Sequence, residues 1–292
     1  MRLRTRSDSG SHADVHSILI LAPDPEAVPP VFRRVHCTAD WHAAVLSEVQ
    51  RMRGAAYLND GAIDSGQLTP DGRHVQPADT SSWHVVGLNR DIGVVGCARY
   101  WHHTEPVIFD ELGVSQSALL KSPEWGAKAR AAVEKGIDYA ARNGLAYVEV
   151  GGWAVRDEIR GTPEALRIAL STYSLARSLG ACIGITAATV RHHSSTILRR
   201  IGGRRLRSST GEELPTYYDP RYGCDMEIVW FDSRSPDPRY EDPIEELRAD
   251  LIDSPVLCAD SDLTSLSRAI GGSSVPASQW TANQLAGALA GV

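Results

Sequence analysis

The segment from residue 145 to residue 189 constrains the fold of this chain more than any other. An apolar, β-rich run covers 145–155, a helical pattern covers 163–179 and closes at Gly180, and a second β-rich run covers 181–189. A strand, a helix and a strand in this order form a βαβ unit, in which the two strands lie parallel and the helix crosses one face of the sheet. The sequence therefore predicts an α/β fold.

The flanking segments add antiparallel strands and helices. The runs 83–89 and 94–101 are separated by Arg90-Asp91-Ile92-Gly93, a turn sequence typical of an antiparallel hairpin. Residues 58–82 are rich in Gly, Asp, Pro and Thr and are predicted to form a long loop. Further strands are predicted at 31–37 and 225–231, and further helices at 40–57, 110–120, 124–143, 192–201 and 243–252.

Length and composition fit one α/β domain with extended ends. The 292 residues are 42% hydrophobic and carry a formal net charge of −6, which gives no electrostatic reason to expect nucleic acid or a membrane surface as a partner. We assign residues 1–30 to a flexible tail and linker and 31–232 to the α/β domain. Residues 233–292 are predicted to form a helical C-terminal extension that packs on this domain.

The N-terminus and the cysteines indicate the compartment. The apolar run 18–22 is shorter than a secretory or membrane-spanning segment, so we expect the protein in the cytoplasm. Five scattered cysteines without a CxxC pair fit reduced thiols in that compartment. The histidine pairs 102–103 and 192–193 lack the spacing of metal ligands, so no metal site is predicted.

The corner between the first strand and the helix of the βαβ unit is a candidate anion site. Thr162 is a natural N-cap and Pro163 a natural first helical residue. The free N–H groups of a helix N-terminus can hold a pyrophosphate, and Arg160 would add a positive charge. The same residues also fit a well-capped helix without a ligand. The candidate binding residues at this corner are Arg160, Gly161, Thr162 and Ala165.

The element order, the strand leading into Arg160-Gly161-x-x-x-Ala165, and the later run 188–203 together resemble the GNAT superfamily of N-acyltransferases over residues 31–232. This resemblance implies a mixed, mostly antiparallel sheet with a splayed βαβ unit. It also implies an acyl-CoA donor in the cleft and direct attack of an amine on its thioester. The family's inner glycine is Pro163 here, which lacks an N–H donor, so a donor carried on an acyl-carrier protein is the alternative.

Upstream residues resemble the branch of autoinducer synthases and N-acyl-amino-acid synthases. That branch has an N-terminal arginine, an acidic loop and a Gly-x-x-Arg strand, which this chain matches at Gly96 and Arg99. Position 152 is glycine where the homoserine-lactone synthases have arginine, and this departure disfavours homoserine-lactone synthesis. The substrate-binding residues that the resemblance implies are Arg53, Asp79, His84 and Arg99.

The resemblance also assigns catalytic roles. Glu149 matches the strand glutamate near the acyl thioester and is the candidate base for an acceptor ammonium, although it could instead pair with Arg99. Backbone N–H groups of Trp153, Ala154 and Val155 could polarise the thioester carbonyl. The late helix has no tyrosine to protonate the leaving thiolate. His193, Ser194, Ser195 or solvent would serve there.

The leading hypothesis is an N-acyltransferase that uses an acyl-CoA or acyl-carrier-protein donor and an amine of a small metabolite, amino acid or peptide. A short-chain acetyltransferase and a non-catalytic acyl-CoA-binding or interaction protein are the alternatives. The arginine run 199–207 fits a solvated helix end or a contact for the CoA 3′-phosphate or an acidic carrier protein.

Overall fold

The structure is a computed structural model, and it describes Val15 and residues 17–103 and 105–259. Within these residues the strands form one ten-stranded sheet in the order β2-β10-β1-β3-β4-β5-β6-β9-β7, with β8 paired to β9. The pairs β1–β10, β10–β2 and β5–β6 are parallel and the others antiparallel. The strands are β1 Ser17–Ala22, β2 Arg34–Cys37, β3 Trp83–Asn89, β4 Gly93–His103, β5 Ala146–Val155, β6 Cys182–Thr189, β7 Arg204–Arg205, β8 Tyr217–Asp219, β9 Cys224–Asp232 and β10 Pro255–Cys258.

Helices cover both faces of the sheet. Successive side chains of a strand point to opposite faces, so Val148 of β5 packs in the cluster of α3 and α5, whereas Tyr147 packs in the cluster of α2. Helix α1 packs on the same face as α2, against Leu19, Leu21 and Cys97. The helices are α1 Ala39–Asn59, α2 Gly126–Arg142, α3 Pro163–Leu179, α4 Ser194–Arg200 and α5 Glu241–Ile252. No helix among the described residues is long and apolar enough to cross a bilayer.

This architecture confirms the predicted mixed, mostly antiparallel sheet with a βαβ unit. Helix α3 has the predicted bounds because its ends carry strong local signals. The Thr162 side chain accepts from the Glu164 N–H, Pro163 is the first helical residue, and Gly180 follows the last turn with φ of +105°.

The structure differs from the predicted domain boundaries at both ends. Strand β1 lies within the predicted tail 1–30, and β10 lies within the predicted extension 233–292. The two strands pair in parallel, and the side chains from Leu19 to Ala22 are fully buried. Residues 1–14, 16 and 260–292, which also belong to those two assignments, lie outside the described residues.

The predicted helix 110–120 is also different. The segment forms three short 3-10 turns, at Phe109–Glu111, Gly113–Gln116 and Ala118–Lys121. The apolar residues of this segment are spaced as in a helix. In the structure, however, the successive short turns each bury apolar side chains against the α2 cluster, namely Phe109, Leu112, Val114 and Leu119. These turns form one wall of the site described next.

Candidate active site

Strands β5 and β6 separate in the middle of the sheet. They pair only from Ala146–Cys182 to Glu149–Ile185, after which β5 pairs only with β4 and β6 only with β9. A bulge in β5 accompanies the separation, because Arg99 pairs with Gly151 while Cys97 pairs with Ala154. Gly152, inside the bulge, has φ of +59°, which favours glycine. The predicted splayed unit is therefore present.

A cavity of about 810 Å³ occupies the cleft where the two strands diverge. This volume is within the ordinary range for a small-molecule site. Its floor is formed by β5 and β6, and its walls by the end of α1, the loop before β3, the 3-10 turns after β4, the start of α4 and the segment before β9. The lining residues include Tyr57, Asp60, Gln76, Arg99, Trp101, Leu112, Gly113, Val114, Glu149, Val150, Gly152, Trp153, Ala154, Val155, Arg160, Gly161, Ala165, Thr186, Ala187, Ala188, Arg191, His192, His193, Ser194, Arg221, Tyr222 and Met226.

Glu149 lies at the point where the strands part. Its side chain is buried and lines the cavity, and one carboxylate oxygen accepts a 2.7 Å hydrogen bond from the Gly113 N–H. Burial raises the pKa of Glu149 above its ordinary value, against the opposing effects of Arg99 and the Gly113 and Val114 N–H groups. A carboxyl with a raised pKa next to a cavity is suited to accept a proton.

A side chain at position 113 would crowd this contact. A Cβ at position 113 would lie 2.9 Å from a Glu149 carboxylate oxygen. The 3-10 turn Gly113–Gln116 thus approaches the carboxylate with its backbone and holds it in one orientation.

A buried ionic network lies behind the cavity wall next to Glu149. The Arg53 guanidinium donates to both carboxylate oxygens of Asp79, at 3.0 and 2.6 Å, and both side chains are almost fully buried. Gln50 donates to Asp79 at 3.0 Å, and His84 Nε2 lies 2.8 Å from the Asp79 backbone oxygen. The structure thus brings three of the predicted substrate-binding residues together, but Arg53, Asp79 and His84 do not line the cavity.

Arg99 connects this network to the cavity. Its Nη1 donates to Gln76 Oε1 at 2.6 Å and lies 3.4 Å from Asp79 Oδ1, and it is the one predicted substrate-binding residue that lines the cavity. Its ion pair is with Asp79. The alternative role for Glu149, as the ion-pair partner of Arg99, is therefore not the arrangement seen.

The corner before α3 is built as predicted, with one unexpected partner. Arg160, Gly161 and Ala165 line the cavity, and Thr162 caps the helix by accepting from the Glu164 N–H at 3.3 Å. The Arg160 guanidinium, however, forms a bidentate pair with Asp60 at 2.6 and 3.2 Å. Its charge is matched by a carboxylate from the end of α1.

The remaining predicted donor-site and catalytic residues divide between the cavity and the interior. Trp153, Ala154 and Val155 line the cavity, and Trp153 lies in the bulge without a Cα partner on β4. His193 lines it too, and its φ of +63° follows a φ of +58° at His192. Ser195 is buried outside the lining, and its hydroxyl has no hydrogen-bond partner among the described residues, whereas the alternative candidate Ser194 lines the cavity.

Several cavity residues were missed by sequence reasoning. Trp101 follows Arg99 by two positions on β4 and pairs in register with Glu149, so strand alternation would have indicated it. Gln76 comes from an irregular loop without a periodic signal, and the helical spacing around Gly113 predicts a continuous helix in place of the 3-10 turn. Tyr57 and Tyr222 reach the cavity from the end of α1 and from the loop before β9.

The histidine pairs and the arginine run are two other features singled out in the sequence. Within the described part of the chain, no group of three or more His, Cys, Asp or Glu side chains is arranged to hold a metal ion. The arginine run lines a separate depression of about 330 Å³. There Arg199 and Arg205 pair with Glu227, and Arg207 pairs with Glu213 at 2.6 Å.

Comparison with known proteins identifies the fold. No protein-family model matches the chain, and no curated protein matches it by sequence. The CoA-dependent acyl-homoserine lactone synthase BjaI, solved with SAM and isopentyl-CoA, superposes with a TM-score of 0.51 at 14% identity, over 87% of this chain and 98% of that one. The same enzyme with MTA gives 0.50 at 15% identity, over 87% and 99%. The N-acyl amino acid synthase FeeM gives 0.42 at 12% identity, over 64% and 84%. The chain therefore has the GNAT-like fold of the acyl-homoserine lactone synthases.

Proposed function

We propose that this protein is an N-acyltransferase that moves an acyl group from a thioester donor to the amine of a small metabolite, amino acid or peptide. The observation that carries the proposal is the buried Glu149 carboxylate, held by the Gly113 N–H at the point where β5 and β6 diverge around a cavity of about 810 Å³. The fold it shares with CoA-dependent synthases supports the same class of reaction.

The chemistry needs a neutral amine next to a thioester carbonyl. Glu149 accepts a proton from the acceptor ammonium, directly or through a water molecule, and the amine nitrogen attacks the carbonyl carbon. The C–N bond forms, the C–S bond breaks, and the thiolate leaves and takes up a proton. The thioester carbonyl is placed along the bulged part of β5, where the Trp153 N–H can polarise it.

The cavity lining offers groups suited to each of the two substrates. Apolar residues from β5, β6 and the 3-10 turns, among them Val150, Ala188 and Leu112, line the cavity and fit an acyl chain. Arg99 and Gln76 present polar groups on the Glu149 side, where the acceptor would lie. The donor is an acyl-CoA or an acyl-carrier protein, and the protein acts in the cytoplasm.

Release of free thiol from acyl thioesters of several chain lengths, measured with a panel of amines, tests this proposal. Wild-type protein should release thiol only when an accepted amine is present, and Glu149→Gln should lower the rate about 100- to 10,000-fold. Glu111→Gln is the matched control, because Glu111 is an exposed carboxylate on the same cavity. Donor binding with no transfer to any amine would contradict the enzyme assignment and support a binding protein.

A further inference from the structure

The anion corner at the start of α3 already holds a carboxylate of the protein. Asp60, the C-cap of α1, accepts from Nη1 and Nη2 of Arg160 at 2.6 and 3.2 Å. The two side chains are 20% and 32% exposed, so the pair is partly shielded from water. Arg160 also lies 3.3 Å from Asp157, which is more exposed, at 64%.

Two other polar side chains at this corner, those of Arg191 and His192, also contact groups of the protein. Arg191 donates to the backbone oxygens of Asp60 and Gly223. His192 Nε2 lies 3.5 Å from the same Asp60 carboxylate. These contacts direct the Arg191 and His192 side chains toward Asp60.

The first turn of α3 is poor in donors for a phosphate. Pro163, at its first position, has no N–H, and the Glu164 N–H donates to the Thr162 hydroxyl. The Glu164 side chain adds a further negative charge in that turn. Helix N-termini that bind phosphate present free N–H groups and a positive field. This corner offers few free N–H groups. The carboxylates of Asp60 and Glu164 weaken its positive field.

We propose that Asp60 is a specificity-determining residue, which neutralises Arg160 and thereby selects a pantetheine thioester donor that lacks a nucleotide pyrophosphate. This inference rests on the proposed acyltransferase function and specifies its donor. The cleft then recognises the pantetheine arm and the acyl chain, and the α3 corner contributes no pyrophosphate contact. A pantetheine arm attached to a carrier protein belongs to this chemical class, whereas free acyl-CoA would bring two phosphates against Asp60.

Direct binding of octanoyl-CoA and S-octanoyl-pantetheine, measured by titration calorimetry, tests the inference without requiring an acceptor. Wild-type protein should bind S-octanoyl-pantetheine at least about threefold more tightly than octanoyl-CoA, a difference of about 0.65 kcal/mol. Asp60→Asn keeps the side-chain shape and removes the charge. It should tighten binding of octanoyl-CoA at least about tenfold, or 1.4 kcal/mol, and leave binding of S-octanoyl-pantetheine unchanged.

Asp157→Asn is the matched control, because it removes the second carboxylate beside Arg160 from an exposed position. It should change neither affinity. Equal wild-type affinities for the two donors, a wild-type preference for octanoyl-CoA, or an unchanged octanoyl-CoA affinity in Asp60→Asn would overturn the inference while leaving the acyltransferase proposal standing. Failure of both donors to bind either protein would overturn the proposed function and this inference together.

Discussion

Substitution of Asp79 by asparagine should destabilise the protein strongly, because it leaves a buried cation without its counter-charge. Arg53 is 0% exposed and Asp79 is 1% exposed, and the two form a bidentate pair. Burial alone would raise the pKa of Asp79, but the Arg53 guanidinium holds it at about 2. The carboxylate is therefore charged at neutral pH and neutralises an arginine that has no access to solvent.

Removing one partner of a buried ion pair typically costs about 3–5 kcal/mol, since the other charge stays desolvated. Asparagine keeps the shape and one acceptor oxygen, so we expect the lower part of that range. For a domain of this size, such a loss lowers the unfolding midpoint by on the order of 10 °C. Equilibrium unfolding in urea, followed by circular dichroism, gives the free energy directly.

Asp71→Asn is the matched control for this experiment. Asp71 also lies in the loop after α1 and also pairs with an α1 arginine, Arg51, at 2.9 Å, but both side chains are exposed. Exposed pairs contribute little to stability, so this variant should unfold as the wild type does. A loss of less than about 1 kcal/mol in Asp79→Asn, or equal losses in the two variants, would refute the assignment of Arg53 and Asp79 to a buried charge pair.

Two further predictions concern stability. Burial lowers the pKa of His84 and of His42 from 6.5 to about 4, so the folded state binds fewer protons than the unfolded state between those values. Stability should therefore fall as pH falls from about 6.5 to 4, by at most about 3 kcal/mol for each histidine. A flat unfolding free energy across that pH range would contradict their burial as neutral groups. Gly184→Ala should destabilise by about 1–3 kcal/mol or more, because a Cβ there would lie 1.9 Å from the Phe231 ring. Gly66→Ala, which meets nothing within 4 Å, is its control, and equal unfolding midpoints of the two variants would refute the close packing.

The parts of the fold that the sequence predicts are those with local signals. The bounds of α3 follow from Thr162, Pro163 and Gly180. The sequence does not predict strand β1, because its short apolar run gains its partners only in β3 and β10, which are far away in the chain. Pairing at such separation leaves no periodic pattern in β1 or β10, so the sequence alone predicts a tail and an extension at the two ends.

The candidate site likewise contains residues that the sequence predicts and contacts that it does not predict. Glu149 and Arg99 follow from strand motifs, and the structure places both on the cavity. The pairing of Arg160 with Asp60 joins residues separated by 100 positions, and the sequence around either one does not indicate the other. The family resemblance implies Glu149 but not the turn at Gly113 that orients it, because the spacing of apolar residues in 110–120 predicts a continuous helix.

The most direct test of the central claim is the pH dependence of kcat/KM for acyl transfer in wild-type protein and Glu149→Gln. Burial raises the pKa of Glu149 above 4.5, so the carboxylate is lost as pH falls through this raised value. We predict that wild-type kcat/KM rises with pH through an ionisation above the ordinary range of a glutamate. In Glu149→Gln that ionisation should be absent and the plateau about 100- to 10,000-fold lower. Equal plateaus and the same pH profile in both proteins would show that Glu149 is not the base.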